Sequence, residues 1–111
     1  MIDSYEFGKM KIMGEEYHFD LFIIDTEIEP WNRKERHNIC LKDLEDISKK
    51  CEVLIIGTGD EGCVDVDKEV KKYCKKKKID LKVDRTVIAV EIFNDLVHTG
   101  KRICGAFHLT C

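Results

Sequence analysis

The apolar positions follow two different periods along the chain. Near the start, Phe7, Met10, Ile12, Tyr17, Phe19, Leu21 and Ile23 recur at about every second residue, interrupted by Gly8 and Gly14. Alternation sends successive side chains to opposite faces of a strand, so this stretch predicts an antiparallel strand pair or meander, turning at Gly14 and Glu15. "TEIEPWNRKERHN" (26–38) drops the alternation, carries the single proline and predicts a long loop. "CLKDLEDISKK" (40–50) places Leu41, Leu44 and Ile47 on one helical stripe, with acids early, lysines late and Cys40 in the cap position. "VLIIG" (53–57) is apolar without alternation, the pattern of a strand buried on both faces.

Helical spacing returns in "DVDKEVKKYCKKKK" (65–78), where Val66, Val70, Tyr73, Cys74 and the stem of Lys77 share a face. "IDLKV" (79–83) predicts a short strand. "VIAVEIFNDLVHT" (87–99) predicts a third helix with Ala89, Phe93, Leu96 and Val97 inward, Thr86 as its cap and Gly100 closing it. "RICGAFHL" (102–109) predicts a final strand. Strands, then helix and strand in alternation, define an α/β fold. It is a single compact domain over residues 1–111, with a mixed central sheet and antiparallel strands at the amino-terminal end.

The totals restrict the function. A chain of 111 residues builds one core and has no room for a complete dinucleotide fold. A formal charge of -3 opposes general nucleic-acid binding. Eight lysines crowd residues 68–82, but without arginine or exposed aromatics among them they read as a solvated helix face. No apolar run approaches the ~20 residues that span a bilayer, and "MIDSYEFGKM" lacks the basic-then-apolar order of a secretory signal. The expected location is the cytoplasm. The six cysteines include no C-x-x-C pair, so neither a metal site nor a cofactor is expected, and most thiols read as small buried hydrophobes. Glutamine is absent and Lys and Glu are abundant, a bias that suits a heat-adapted, archaeal source.

One motif-like string remains. "VLIIGTGDEGC" (53–63) holds Gly57-x-Gly59-x-x-Gly62 after a strand. A dinucleotide site would use such glycines to approach a pyrophosphate, with an acid such as Asp84 on the ribose. Asp60 and Glu61 oppose that reading, because they put negative charge where phosphates would sit. "CVDVD" opposes it too, because no helix opens at Gly62. A tight strand-exit turn needing glycine backbones is the simpler account.

Taken in order, these landmarks resemble a known family. They are "YEFGKMKIMGEEYHFDLFI", close to an opening "FG…I…G…Y..D"; Pro30, Trp31, Arg33 and His37 of a "P-W-x-R…H" loop; "VLIIGTG" with Gly62; Thr86 ahead of "AVEIFN"; and "RICGAFHLTC". The chain is similar to a small α/β domain family of archaea, bacteria and animals. Its animal members include the adipogenesis-associated domain-containing protein and a mitochondrial complex I assembly factor. The resemblance implies a compact domain without an assigned reaction, acting in interaction or assembly. The chain departs from the family at Arg36, where glycine is usual, and at Asn32, where a second tryptophan is usual.

The candidate surface is the loop with Trp31, Arg33, Lys34, Arg36 and His37. If it folds over the strand ends, it forms a cleft with Gly57, Thr58, Gly59, Asp60, Glu91 and Asn94. Arg33 could grip a small anion or peptide carboxylate there. Alternatively, Trp31 closes the core and Arg33 pairs with Glu91. Asn94 within a helix fits a bond to neighbouring backbone. A nucleophile pair of His37 and Cys40 lacks a third, orienting group. His108 reads as a packed histidine, facing away from Cys111 because three is an odd step along a strand. The leading reading is a non-enzymatic module that binds or helps assemble another protein; the alternative is a small-anion or small-ligand domain, enzymes included, using the cleft near Gly57–Gly59 and the Trp31–His37 loop. The sequence is silent on oligomeric state.

Overall fold

In the computed structural model, every residue except Lys34 and 45–48 is described. Three short strands, β1 (Ile2–Glu6), β2 (Lys9–Ile12) and β3 (Glu15–Tyr17), form an antiparallel meander. The turn from β2 to β3 is made by Met13 and Gly14, both at positive φ, and Glu15 already belongs to β3. That conformation is the one tight hairpins require.

The alternation continues into β4 (Leu21–Ile24), but β4 leaves the meander. With β5 (Glu27–Pro30) it forms an antiparallel hairpin on the edge of a second sheet. The predicted long loop is therefore shorter: its first part is this edge strand, and Pro30 is tolerated at the strand's end on the sheet rim. β6 (Asn38–Ile39) pairs in parallel with β8 (Asp65–Val66). β7 (Val53–Thr58), between them in sequence but in the main sheet, is buried along its whole length. The main sheet is completed by β9 (Asp80–Asp84) and β10 (Ile103–His108), in the order β5-β4-β10-β7-β9. β10, β7 and β9 run parallel, and β4 meets β10 antiparallel. The mixed α/β sheet expected from the sequence is present.

Each face of this sheet carries its own core. Val53, Ile55, Ile103 and Phe107 point to one side. There the meander and α2 (Thr86–Leu96) cover them with Ile2, Met10, Ile12, Ala89 and Phe93. Leu54, Ile56, Cys104 and Ala106 point to the other side, beneath α1 (Lys68–Lys76), Trp31, Ile39 and Leu44.

Four local expectations change, the first being that the helix predicted over 65–78 spans only Lys68–Lys76, with Val66 in β8. Of the predicted 40–50 helix, the described part is a single 3-10 turn over Leu41–Asp43, and Ile47 lies outside the described residues. Thr86 is the first residue of α2, not its cap. Its hydroxyl donates to the His108 carbonyl at 2.6 Å and accepts the Gly59 N–H at 2.9 Å, tying the helix start to two strand ends. Gly100 stands beyond the end of α2, where Val97 holds the cap position.

Candidate functional site

The carboxyl ends of β10 and β7 meet the start of β4 and the loop after β5. A cavity of about 340 Å³ opens there, lined by Trp31, Arg33, Arg36 and His37 from the loop, and by Asp20, His108, Thr110 and Cys111.

Its floor is a closed electrostatic cluster. Asp20 Oδ2 lies 2.6 Å from His108 Nδ1 and 3.0 Å from Arg33 Nη1, and Asp20 Oδ1 accepts the Leu109 N–H at 2.8 Å. A carboxylate offers only acceptors, so His108 carries its proton on Nδ1. His108 Nε2 lies 3.3 Å from the Thr110 hydroxyl. Burial pushes the Asp20 carboxyl up. The hydrogen bonds from His108 and Leu109, with the charges of His108 and Arg33, outweigh it and hold the carboxyl below the usual range. Tyr5 borders the same region and donates to the Leu109 carbonyl at 2.9 Å. Burial, with Asp60 and Asp20 nearby, pushes its phenol up to about 12.

Arg33 is used inside the loop. Its Nη2 donates to the Arg36 carbonyl at 2.9 Å, its Nε reaches the Glu35 carbonyl at 3.4 Å, and its side chain is only 5% exposed. The guanidinium stacks over the Trp31 ring with Cζ 4.8 Å from the centroid, while Phe22 packs 5.2 Å away. Trp31 itself is buried, and its indole N–H donates to the Asp43 carbonyl at 3.1 Å. Tryptophan therefore closes the second core, and the ion pair of Arg33 is with Asp20, not Glu91.

The expected cleft residues separate into three groups. Trp31, Arg33, Arg36 and His37 line the cavity together, with Arg36 and His37 exposed at its rim. Gly57, Thr58, Gly59 and Asp60 adjoin it without lining it. A Cβ on Gly57 would come within 2.8 Å of Thr86 Oγ1, so this glycine lets α2 pack against the strand end. The Thr58 hydroxyl donates to the Asp84 carbonyl at 3.1 Å, and Asp60 N–H to the Thr110 carbonyl at 2.7 Å. Glu91 and Asn94 belong to α2, across the sheet from the cavity. Glu91 is exposed there, and Asn94 clamps Ile2 through N–H (3.0 Å) and carbonyl (2.9 Å).

Asp20 and Thr110 were not among the residues the sequence singled out, and His108 read only as packed. The signal was a polar residue inside an apolar pattern: Asp20 between Phe19 and Leu21, and His108 between Phe107 and Leu109. His108 and Cys111 both line the cavity, because β10 stops at His108 and strand alternation ends with it. Among the described residues, no group of three or more His, Cys, Asp and Glu side chains is placed to hold a metal, and no helix is long and apolar enough to cross a membrane.

Solved structures repeat this fold over the whole chain. The conserved hypothetical protein PH1505 from Pyrococcus horikoshii OT3 is 27% identical, with a TM-score of 0.90 over 100% of this chain and 99% of its own. That relative comes from an archaeal thermophile, in line with the composition. The protein MT938 is 24% identical, with a TM-score of 0.83 over 100% and 98%. An outer membrane protein from Bartonella henselae is 21% identical, with a TM-score of 0.80 over 99% and 94%. Residues 2–108 match the family described as protein of unknown function (DUF498/DUF598), and the chain belongs to that family.

Proposed function

We propose that this protein is a binding module that engages another polypeptide at the cavity end of its main sheet, without performing chemistry on it. The observation that carries this reading is the exposure of two aromatic side chains on segments whose neighbouring residues are tied to the cavity end of the sheet. Phe7 is 60% and Phe19 45% exposed. Phe7 precedes Gly8, whose N–H donates to the Leu109 carbonyl at 2.7 Å. Phe19 precedes Asp20, which forms the cavity floor. Aromatic side chains together with a polar, arginine-bearing rim are the mixture that partner surfaces use. The internal use of Arg33 supports the same reading, since a guanidinium held by Asp20 and two carbonyls has little left to offer a free anion. A fitting partner is an extended segment with an apolar side chain for Phe7 and Phe19 and an acid for Arg36.

A displayed library of linear peptides, panned on the wild type and on a Phe7→Ser/Phe19→Ser variant, tests this. Peptides pairing an apolar residue with a nearby acid should be enriched, and should bind the double variant at least about tenfold more weakly, or ~1.4 kcal/mol. Absence of enrichment, or equal binding to both proteins, would sink the reading.

The alternative, a small-ligand site, has one observation in its favour: the cavity has the size of a small-molecule pocket and presents His108 Nε2 beside Thr110. A rise in melting temperature with phosphate or a small carboxylate, indifferent to the Phe7/Phe19 substitutions, would favour it instead.

A further inference from the structure

The turn bearing the three glycines cradles part of this same chain. Asp60 N–H donates to the Thr110 carbonyl (2.7 Å), and Cys63 N–H to the Cys111 carbonyl (3.0 Å). A Cβ on Gly59 would lie 2.3 Å from the Cys111 carbonyl carbon, so only glycine lets the segments approach this closely. Cys63 and Cys111 thus stand on adjoining backbones joined by a direct hydrogen bond. With the N···O contact at 3.0 Å and standard bond lengths, their Cα atoms lie no more than about 6.5 Å apart. That limit lies inside the roughly 4.4–6.8 Å that a disulfide bridges. Both are exposed free thiols, whereas Cys51, Cys74 and Cys104 are buried and the Cys40 thiol donates to Asp43 Oδ2 at 3.3 Å.

We propose that Cys63 and Cys111 are a reversible disulfide site, oxidised by a small disulfide of the glutathione class. One thiolate attacks a sulfur of oxidised glutathione, breaking its S–S bond and releasing one reduced glutathione. The second thiolate then attacks the mixed disulfide on the protein sulfur and releases the other. The two protein thiols lose two protons and two electrons, and both electrons reside finally in the two glutathione thiols. Because Cys111 also lines the cavity beside His108 and Thr110, the new bond fixes one wall of it. The inference does not depend on what the cavity binds.

The test treats the reduced protein with oxidised glutathione, blocks remaining thiols, and reads intact mass and cross-linked peptides. The wild type should lose two hydrogens, yield a Cys63–Cys111 cross-link and recover its thiols with dithiothreitol. Cys63→Ser and Cys111→Ser should each acquire one glutathione and form no internal bond. Amide exchange at Asp60 and Cys63 should slow in the oxidised form. A wild type that stays reduced, that keeps glutathione on both cysteines, or that cross-links through another pair would overturn the proposal.

Discussion

Asp20 and His108 are 88 positions apart in sequence, and their side chains meet at 2.6 Å. The contact joins the start of the edge hairpin to the end of the central strand, and Arg33 completes it from the loop. One carboxylate therefore satisfies a histidine, an arginine and a backbone N–H. Its removal should be felt in all three elements.

Asp20→Asn keeps the shape but removes the charge opposite the buried Arg33. Breaking a buried pair from one side costs ~3–5 kcal/mol, and the partial exposure of Asp20 (22%) places this case lower, at about 2 kcal/mol. Urea denaturation near neutral pH measures it. The acid dependence follows from the lowered carboxyl. An unfolded aspartate titrates near ~3.9 and the folded one below that, so the stabilisation is present above this value. It is lost as pH falls through the folded value. Wild-type stability should drop across that interval, and Asp20→Asn should remove much of that drop. A parallel loss in both proteins would remove Asp20 from the account.

The glycines offer a contrast between conformation and space. Gly14 and Gly59 both sit at positive φ, but a Cβ on Gly14 meets nothing within 4 Å, while one on Gly59 strikes the Cys111 backbone. Gly14→Ala should cost about 1 kcal/mol, the penalty for a side chain in left-handed backbone. Gly59→Ala adds a collision with main chain that cannot rotate away, and should cost at least ~3 kcal/mol. Comparing denaturation midpoints of the two variants checks this. Equal losses would mean the 110–111 segment does not pack on this turn.

The fold was legible because its strongest elements are written in short-range patterns. The unbroken apolar run of β7 and the helical stripe of α2 each name their own environment. The parting of β4 from the meander was not legible, since alternation fixes which face a side chain takes but not which strand lies beside it. Thr86 was misread for a related reason. Its hydroxyl bonds to Gly59 and His108, which are distant in sequence, and no local rule ranks those bonds above a helix cap. The site was partly visible. The loop from Trp31 to His37 does form a cavity wall, but the charges that organise it come from Asp20 and His108, isolated polar residues inside apolar strands. Asn94 was anticipated as a backbone-bonding residue, and Ile2 proves to be its partner.

Trp31 and Arg36 separate the architectural from the presented part of the loop. Trp31 packs against Phe22 and the Arg33 guanidinium, donates to the Asp43 carbonyl, and closes the core with Ile39 and Leu44. Truncation to alanine leaves a large void, removes the cation–π contact and strands that carbonyl, so Trp31→Ala should cost ~3–5 kcal/mol. Trp31→Phe should recover part of the loss, because a smaller ring fills some of the space without restoring the N–H. Arg36 has an exposed side chain at the rim, and Arg36→Ala should change stability by no more than about 0.5 kcal/mol. Denaturant titrations of the three variants decide the matter. If Trp31→Ala were as stable as Arg36→Ala, tryptophan would be a surface residue, and the loop would have to be reconsidered as an aromatic platform for a partner.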